Sequence, residues 1–129
     1  MKKIIDKIID DAKTAQKTLI KISDKELNKI IIFVIKSILN TNLNKKISQM
    51  AVDETGFGNV DDKIEKNKNK TLNLLNEILP IKTFEPYYQR DKKLFKILKP
   101  VGVICGTTPS TNPIATTLNY FINAIKCKN

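Results

Sequence analysis

The 129 residues contain no histidine and no tryptophan, and Arg90 is the lone arginine among 23 basic residues. Without histidine, this chain cannot supply a His-ligated zinc site, a Ser-His dyad or a Cys-His dyad. Cysteine is scarce too: Cys105 and Cys127 lack a CxxC spacing, so no metal site is expected. Cys105 lies in an apolar run and reads as a small core residue, whereas Cys127 near the charged terminus reads as a free thiol. Free cysteines and no recognisable secretory signal point to a reducing cytoplasm. Long hydrophobic runs are also missing. The longest, Ile30–Ile35, is far too short to cross a membrane, and no membrane partner is expected.

What the sequence does have is lysine. A net charge of +10 and a pI near 9.6 invite a nucleic-acid reading, but the composition argues against it. Base readout and bidentate phosphate clamps favour the guanidinium fork, which Arg90 alone barely supplies. The lysines are scattered among Ile and Asn, the pattern an A/T-rich coding sequence produces. No specific nucleic-acid partner is expected. A small basic helical module binding nucleic acid or an anionic surface is the alternative, and steeply salt-dependent DNA binding would support it.

The first half reads as helices. Ile4, Ile5, Ile8, Ile9, Ala12, Ala15 and Leu19 recur at helical spacing with lysines and aspartates between them. That stripe is expected to pack on neighbours, although docking onto a partner surface is a sharper possibility. Ser23 and Glu26 have capping-box spacing and open a second helix through Leu27, Ile30, Ile31, Val34, Ile35, Ile38 and Leu39. Asn40–Asn44 should break it. A third stretch, about Lys45–Thr55, carries Ile47, Met50 and Ala51 on one face. Gly56 and Gly58-Asn59 make a turn. Asp61 and Asp62 suit the first turn of a fourth helix, whose core face is Ile64, Leu72, Leu75 and Leu79. Glu65–Lys70 reads as its exposed face.

The texture changes after Pro80, which places a helical part at 1–80 and an α/β part at 81–129. Ile81–Phe84 and Leu94–Leu98 look extended around a loop with Pro86, Tyr87 and Tyr88. Val101–Cys105, between Pro100 and Gly106, reads as a buried strand. After Pro113, Ala115, Leu118, Phe121, Ile122 and Ile125 restore helical spacing. Strand, turn and helix make the first half of a parallel β-α-β unit, and the second strand would lie beyond Asn129.

The turn "GTTPSTNP", 106–113, carries the chemistry. It is neither a P-loop nor a GxGxxG, but it sits where α/β folds place ligands, between a strand's carboxyl end and a helix's amino end. An asparagine amide in such a loop can donate to a developing oxyanion. The plainer role is that Thr111 or Asn112 caps the helix with Pro113 in its first turn, and the two roles can coexist. In "ETGFGN", 54–59, Glu54 offers a carboxylate, but the economical reading is a helix end with Gly56 as left-handed cap.

"AVDETGFGNVDDKIEKN", 51–67, with "KPVGVICGTTPSTNP", 99–113, resembles the CoA-acylating branch of the aldehyde dehydrogenase superfamily. The extended form "AVDETGFGNVDDKIEKNKNKTLNLL" looks most like its acylating sulfoacetaldehyde members, and "AQKTLIKISDKELNKI" looks like the family's opening helices. The resemblance implies an α/β fold: N-terminal helices followed by the start of a Rossmann-like NAD(P)-binding domain, truncated here. It implies an enzyme that oxidises a small aldehyde with NAD or NADP and passes the acyl group from a cysteine thioester to coenzyme A. It also implies a homo-oligomer at full length. The position matching Asn112 is the candidate oxyanion donor, with Thr107, Thr108, Pro109, Ser110 and Thr111 on the cofactor side. One departure bears on this. Ordinary aldehyde dehydrogenases carry a P-W-N-F-P turn with asparagine two places after the first proline, whereas Asn112 stands three after Pro109. Either the loop path differs or Thr111 takes the equivalent place. The family's nucleophilic cysteine matches neither Cys105 nor Cys127, so the chain is expected to be roughly the N-terminal quarter of such an enzyme and inactive alone.

Overall fold

A computed structural model describes residues 2–129. The described residues hold five α-helices, one hairpin and a short 3-10 turn (Arg90–Lys92) inside it: α1 (Lys2–Leu19), α2 (Asp24–Ile38), α3 (Thr41–Thr55), α4 (Val60–Ile78), β1 (Tyr87–Gln89), β2 (Leu94–Lys96) and α5 (Pro113–Lys126). The start signals act as expected. The Ser23 side chain accepts from the Glu26 amide while the Glu26 carboxylate accepts from the Ser23 amide, so two orphan donors of α2 are satisfied at once. Gly56 ends α3 in the left-handed region at φ 66, which costs a residue without Cβ little. The Asn59 side chain caps α4 ahead of Asp61 and Asp62.

The core forms where α2, α4 and α5 meet. Ile31, Ile35, Leu75, Leu118 and Ile122 are buried together, with Ile38, Leu79, Ile114 and Phe121 packed around them. α2 and α5 each contribute an apolar stripe and α4 contributes Leu75, Leu74 and Ile78 from its C-terminal end, so burial of this cluster is the main drive that joins residues 24–79 to 113–126. The N-terminal half of α1 stays outside: Ile4 is 65% and Ile8 61% exposed. Only its second half is tied down, by Gln16 Nε2 donating to the Lys128 carbonyl (3.2 Å) and Lys128 Nζ donating to the Ile20 carbonyl (3.1 Å).

Several expectations are corrected. Asn40–Asn44 does not form a break of five residues. Asn40 caps α3, which begins at Thr41, and Asn44 is buried within it. Nor is Glu65–Lys70 wholly an exposed face. The buried positions of α4 are Lys63, Asn67, Thr71 and Leu75, whereas Leu72 on α4 and Ile30 on α2 are each 39% exposed and Met50 on α3 is 56% exposed. At Asn67 the α4 stripe tolerates a polar group because α3 faces it with partners: Asn67 Nδ2 donates to Asn44 Oδ1 (3.0 Å) and Ser48 Oγ (3.2 Å), and Asn44 Nδ2 donates to the Ile64 carbonyl (3.1 Å), whereas the buried Thr71 Oγ1 has no hydrogen-bond partner among the described residues.

Beyond Pro80, Tyr87 and Tyr88 lie in a strand rather than a loop. They pair antiparallel with Phe95 and Lys96 in a hairpin, Tyr88 stacking on Phe95 at 4.7 Å. Val101–Cys105 is neither buried nor paired. No strand forms there, Val101 is 84% exposed, and Cys105 is exposed rather than a core residue. A strand of this apolarity needs hydrogen-bonding neighbours on its edges, and no other described segment lies alongside to supply them. Among the described residues its hydrogen-bonded tether is Asn129, whose Oδ1 accepts from the Val101 and Gly102 amides (2.7 and 3.3 Å).

Lys126 shows the cost of seating a cation in this fold. It is buried and donates to Asn28 Oδ1 at 2.8 Å. Burial pushes its ammonium below the ordinary lysine value of 10.5, against an opposing pull from Asp24. The folded state therefore holds this proton less tightly than the unfolded chain. The penalty is full below the folded pKa and fades as pH rises toward the ordinary value. We expect stability to climb with pH in that alkaline window. Lys126→Met should flatten the climb in urea titrations run at successive pH values.

Candidate active-site cleft

The turn and the "ETGFGN" segment, about fifty residues apart in sequence, face each other across a cleft of about 420 Å³. Ile47, Met50, Glu54 and Thr55 of α3 form one wall; Thr108, Pro109, Ser110 and Ile114 form the other. Local chemistry shapes the α3 end. Thr55 Oγ1 donates to the Ala51 carbonyl (2.6 Å) and accepts from the Phe57 amide (3.2 Å), so the chain folds back immediately after the Gly56 cap.

The turn is held from three sides. The Asn112 amide N–H donates to the Pro109 carbonyl (3.3 Å), closing the loop on itself. Tyr120, two turns into α5, donates its hydroxyl to the Thr107 carbonyl (3.3 Å), and its ring lies against Gly106. A Cβ at Gly106 would stand 2.8 Å from the ring, which requires glycine there while Tyr120 keeps this position. From α4, Lys63 Nζ donates to the Thr111 carbonyl at 3.1 Å, although Lys63 lies 48 residues earlier in the chain.

Asn112 stands at the N-cap position of α5, and its carbonyl accepts from the Thr116 amide (3.2 Å). Its side chain does not cap the helix. Pro113 follows as the first helical residue and offers no N–H, and Asn112 Nδ2 makes only a 3.4 Å contact with Thr111 Oγ1. The amide is therefore uncommitted. Thr107, Thr108, Pro109, Ser110 and Thr111 are exposed, and Asn112 is half-buried. Of the sequence-derived candidates, Thr108, Pro109 and Ser110 line the large cleft, while Thr111 and Asn112 face a second one beside α4. Glu54 lies on the cleft wall without a bonded partner among the described residues. Cys105 and Cys127 are not among the residues lining either cleft.

Sequence reasoning missed Lys63 and Tyr120. In Asp61-Asp62-Lys63 the lysine reads as one more solvated charge, and nothing local signals that α4 buries it. Tyr120 had a readable cue, an aromatic two turns below a glycine-led turn.

The arrangement has counterparts among known proteins. No protein-family model matches the chain. The chain is 37% identical over 123 residues to an acylating sulfoacetaldehyde dehydrogenase of Cupriavidus necator, covering 95% of this chain and 25% of that protein. A sulfoacetaldehyde dehydrogenase of an Acholeplasma species is 38% identical over 122 residues, with 94% and 25% covered. An acetylating succinate-semialdehyde dehydrogenase of Clostridium kluyveri is 31% identical over 126 residues, with 97% and 27% covered. The crystal structure of a probable aldehyde dehydrogenase from Listeria monocytogenes superposes with a TM-score of 0.87 at 30% identity, over 98% of this chain and 28% of that one. The fold is thus that of an aldehyde dehydrogenase segment. By sequence the chain is similar to acylating aldehyde dehydrogenases, and it spans about a quarter of the length of these relatives. Among the described residues no helix is long and apolar enough to cross a membrane.

Proposed function

We propose that the chain is the N-terminal portion of an acylating aldehyde dehydrogenase, an oxidoreductase that converts a small aldehyde with coenzyme A and NAD or NADP into the acyl-CoA. The observation that carries this is the 37% identity extending over 95% of the chain. The meeting of its two most family-like motifs at one cleft supports it. On this reading residues 1–80 are the helical part, 81–129 begin the Rossmann-like cofactor domain, and Val101–Cys105 becomes a sheet strand only when the strands of that domain flank it.

The residues present fit part of such a cofactor. The cleft sets the apolar Ile47, Met50 and Ile114 against the hydroxyls of Thr108 and Ser110, a mixture suited to a flat ring with polar edges. Thr107, Thr108, Pro109, Ser110 and Thr111 would hold the cofactor side, and the nicotinamide, when bound, supplies the hydride acceptor. The uncommitted Asn112 amide would donate to the aldehyde oxygen as negative charge develops there, since a preorganised donor needs no reorganisation during reaction. Lys63 and Tyr120 would keep that donor in place through the Thr111 and Thr107 carbonyls. Pro113 contributes a backbone angle already suited to the first helical turn, which fixes where α5 begins beside Asn112.

Purified 1–129 should show no NAD(P)- and CoA-dependent aldehyde oxidation, because on this reading the nucleophilic cysteine lies beyond it. Measurable acyl-CoA formation by this chain alone would overturn that assignment. The DNA following codon 129 should encode a β-strand and, farther on, a reactive cysteine. Expressed with that continuation, the protein should form acyl-CoA, and Asn112→Ala should lower kcat by about 10²–10³. An unchanged kcat would remove Asn112 from the mechanism.

A further inference from the structure

The second cleft, about 320 Å³, lies between the end of the turn and the first two turns of α4. Gly58, Asn59, Asp62, Lys63, Lys66 and Asn112 contribute to its lining. Lys63 is 8% exposed, yet no carboxylate pairs with it: among the described residues the ion pairs are Lys13–Asp10 and Lys82–Glu85. Its one hydrogen bond goes to the neutral Thr111 carbonyl, whereas an ammonium carries three donors. A buried, unneutralised cation is costly, and an anion in the adjoining cleft would relieve that cost. Gly58 passes close beside it at φ 73, a backbone conformation that favours glycine, and a Cβ there would sit in ordinary contact with Lys63, 3.8 Å from Cε and 4.0 Å from Nζ. Asp62 also lines the cleft and keeps its negative charge, since its Oδ2 accepts only from the neutral Asn59 Nδ2 at 2.6 Å; Lys63 and Lys66 together outweigh it. Lys66 adds a second, exposed cation at the rim.

We propose that this cleft binds the oxyanion group of a small molecule, a sulfonate, carboxylate or phosphate, with Lys63 as the buried cation and Lys66 at the rim. The binding claim does not depend on the proposed reaction. The ligand's role does: beside Asn112, the oxyanion belongs to the anionic tail of a short aldehyde or to a phosphate of the nucleotide co-substrates.

The test is a titration of the full 15N-labelled chain with 2-hydroxyethanesulfonate or inorganic phosphate at constant ionic strength, balanced with chloride. The readout is the Asn112 side-chain amide and the backbone amides of Gly58–Lys63. Saturable shifts are expected, with affinity roughly tenfold weaker in Lys63→Gln, the scale of one charge-assisted hydrogen bond. Lys63→Arg should retain binding, and Lys66→Gln should weaken it severalfold. Tighter sulfonate binding assigns the site to a substrate tail, and tighter phosphate binding assigns it to a nucleotide; both keep the site. Shifts that rise without saturating, or that persist unchanged in both Lys63→Gln and Lys66→Gln, overturn it. If Lys63→Gln loses spectral dispersion, the exposed Lys66→Gln decides alone. Saturable binding together with no acyl-CoA formation by the complete protein would reject the proposed function and leave the anion site standing.

Discussion

Ile31→Ala is expected to lower the free energy of unfolding by about 2–5 kcal/mol. Ile31 is fully buried at the centre of the cluster shared by α2, α4 and α5, against Leu75, Leu118 and Ile122. Truncation loses the transfer energy of the removed methylenes and leaves a void that three separate helices must close together. Domains of this size are typically stable by only about 5–15 kcal/mol, so the loss is a large fraction of the whole. Because the cluster joins residues before Pro80 to residues after Pro113, both parts should melt together. Urea unfolding followed at 222 nm and by the near-ultraviolet signal of the tyrosines should shift to lower midpoint in both probes. A change confined to one probe would mean that α5 is not integral to the core.

The second large effect is expected at Asn67. Asn67→Ala removes the donors to Asn44 Oδ1 and Ser48 Oγ in a buried network. Leaving buried acceptors without donors costs about 1–3 kcal/mol, and no water-exposed face lies at this point of the α3–α4 contact to make up the loss. Ser48→Ala should cost less alone, because Asn67 keeps its bond to Asn44. The double variant should lose less than the sum of the two, the sign of a shared network. Strictly additive losses in urea titrations would show that these side chains do not act as one unit. Since α3 carries Glu54 and Thr55 and α4 carries Lys63, this network also sets the distance between the two walls that meet the turn.

Much of this site could be read along the chain. Ser23 and Glu26 announced the start of α2, Gly56 the end of α3, and Pro113 the start of α5, since each signal acts within one helical turn. The apolar stripes Leu27, Ile31, Ile35 and Leu118, Ile122, Ile125 were legible because helical periodicity is also local. The α4 stripe was not. Lys63, Asn67 and Thr71 are polar, and polarity signals burial only once the facing Asn44, Ser48 and Thr111 carbonyl are known. Val101–Cys105 failed in the opposite direction. Its apolar composition encodes burial, but burial needs flanking strands that no described segment provides, so the residues stand exposed.

By itself the sequence determined the helices, the capping box of α2, the Gly56 end of α3, the special turn at 106–113 and the resemblance to acylating aldehyde dehydrogenases, because these rest on local backbone chemistry and on ordered motifs. Tertiary structure alone decided that α3's end and the turn enclose one cleft, that Lys63 is buried against Thr111, and that the Asn112 amide is left uncommitted. Those facts depend on which groups meet across 48 or more residues of chain, and no local pattern records such a meeting.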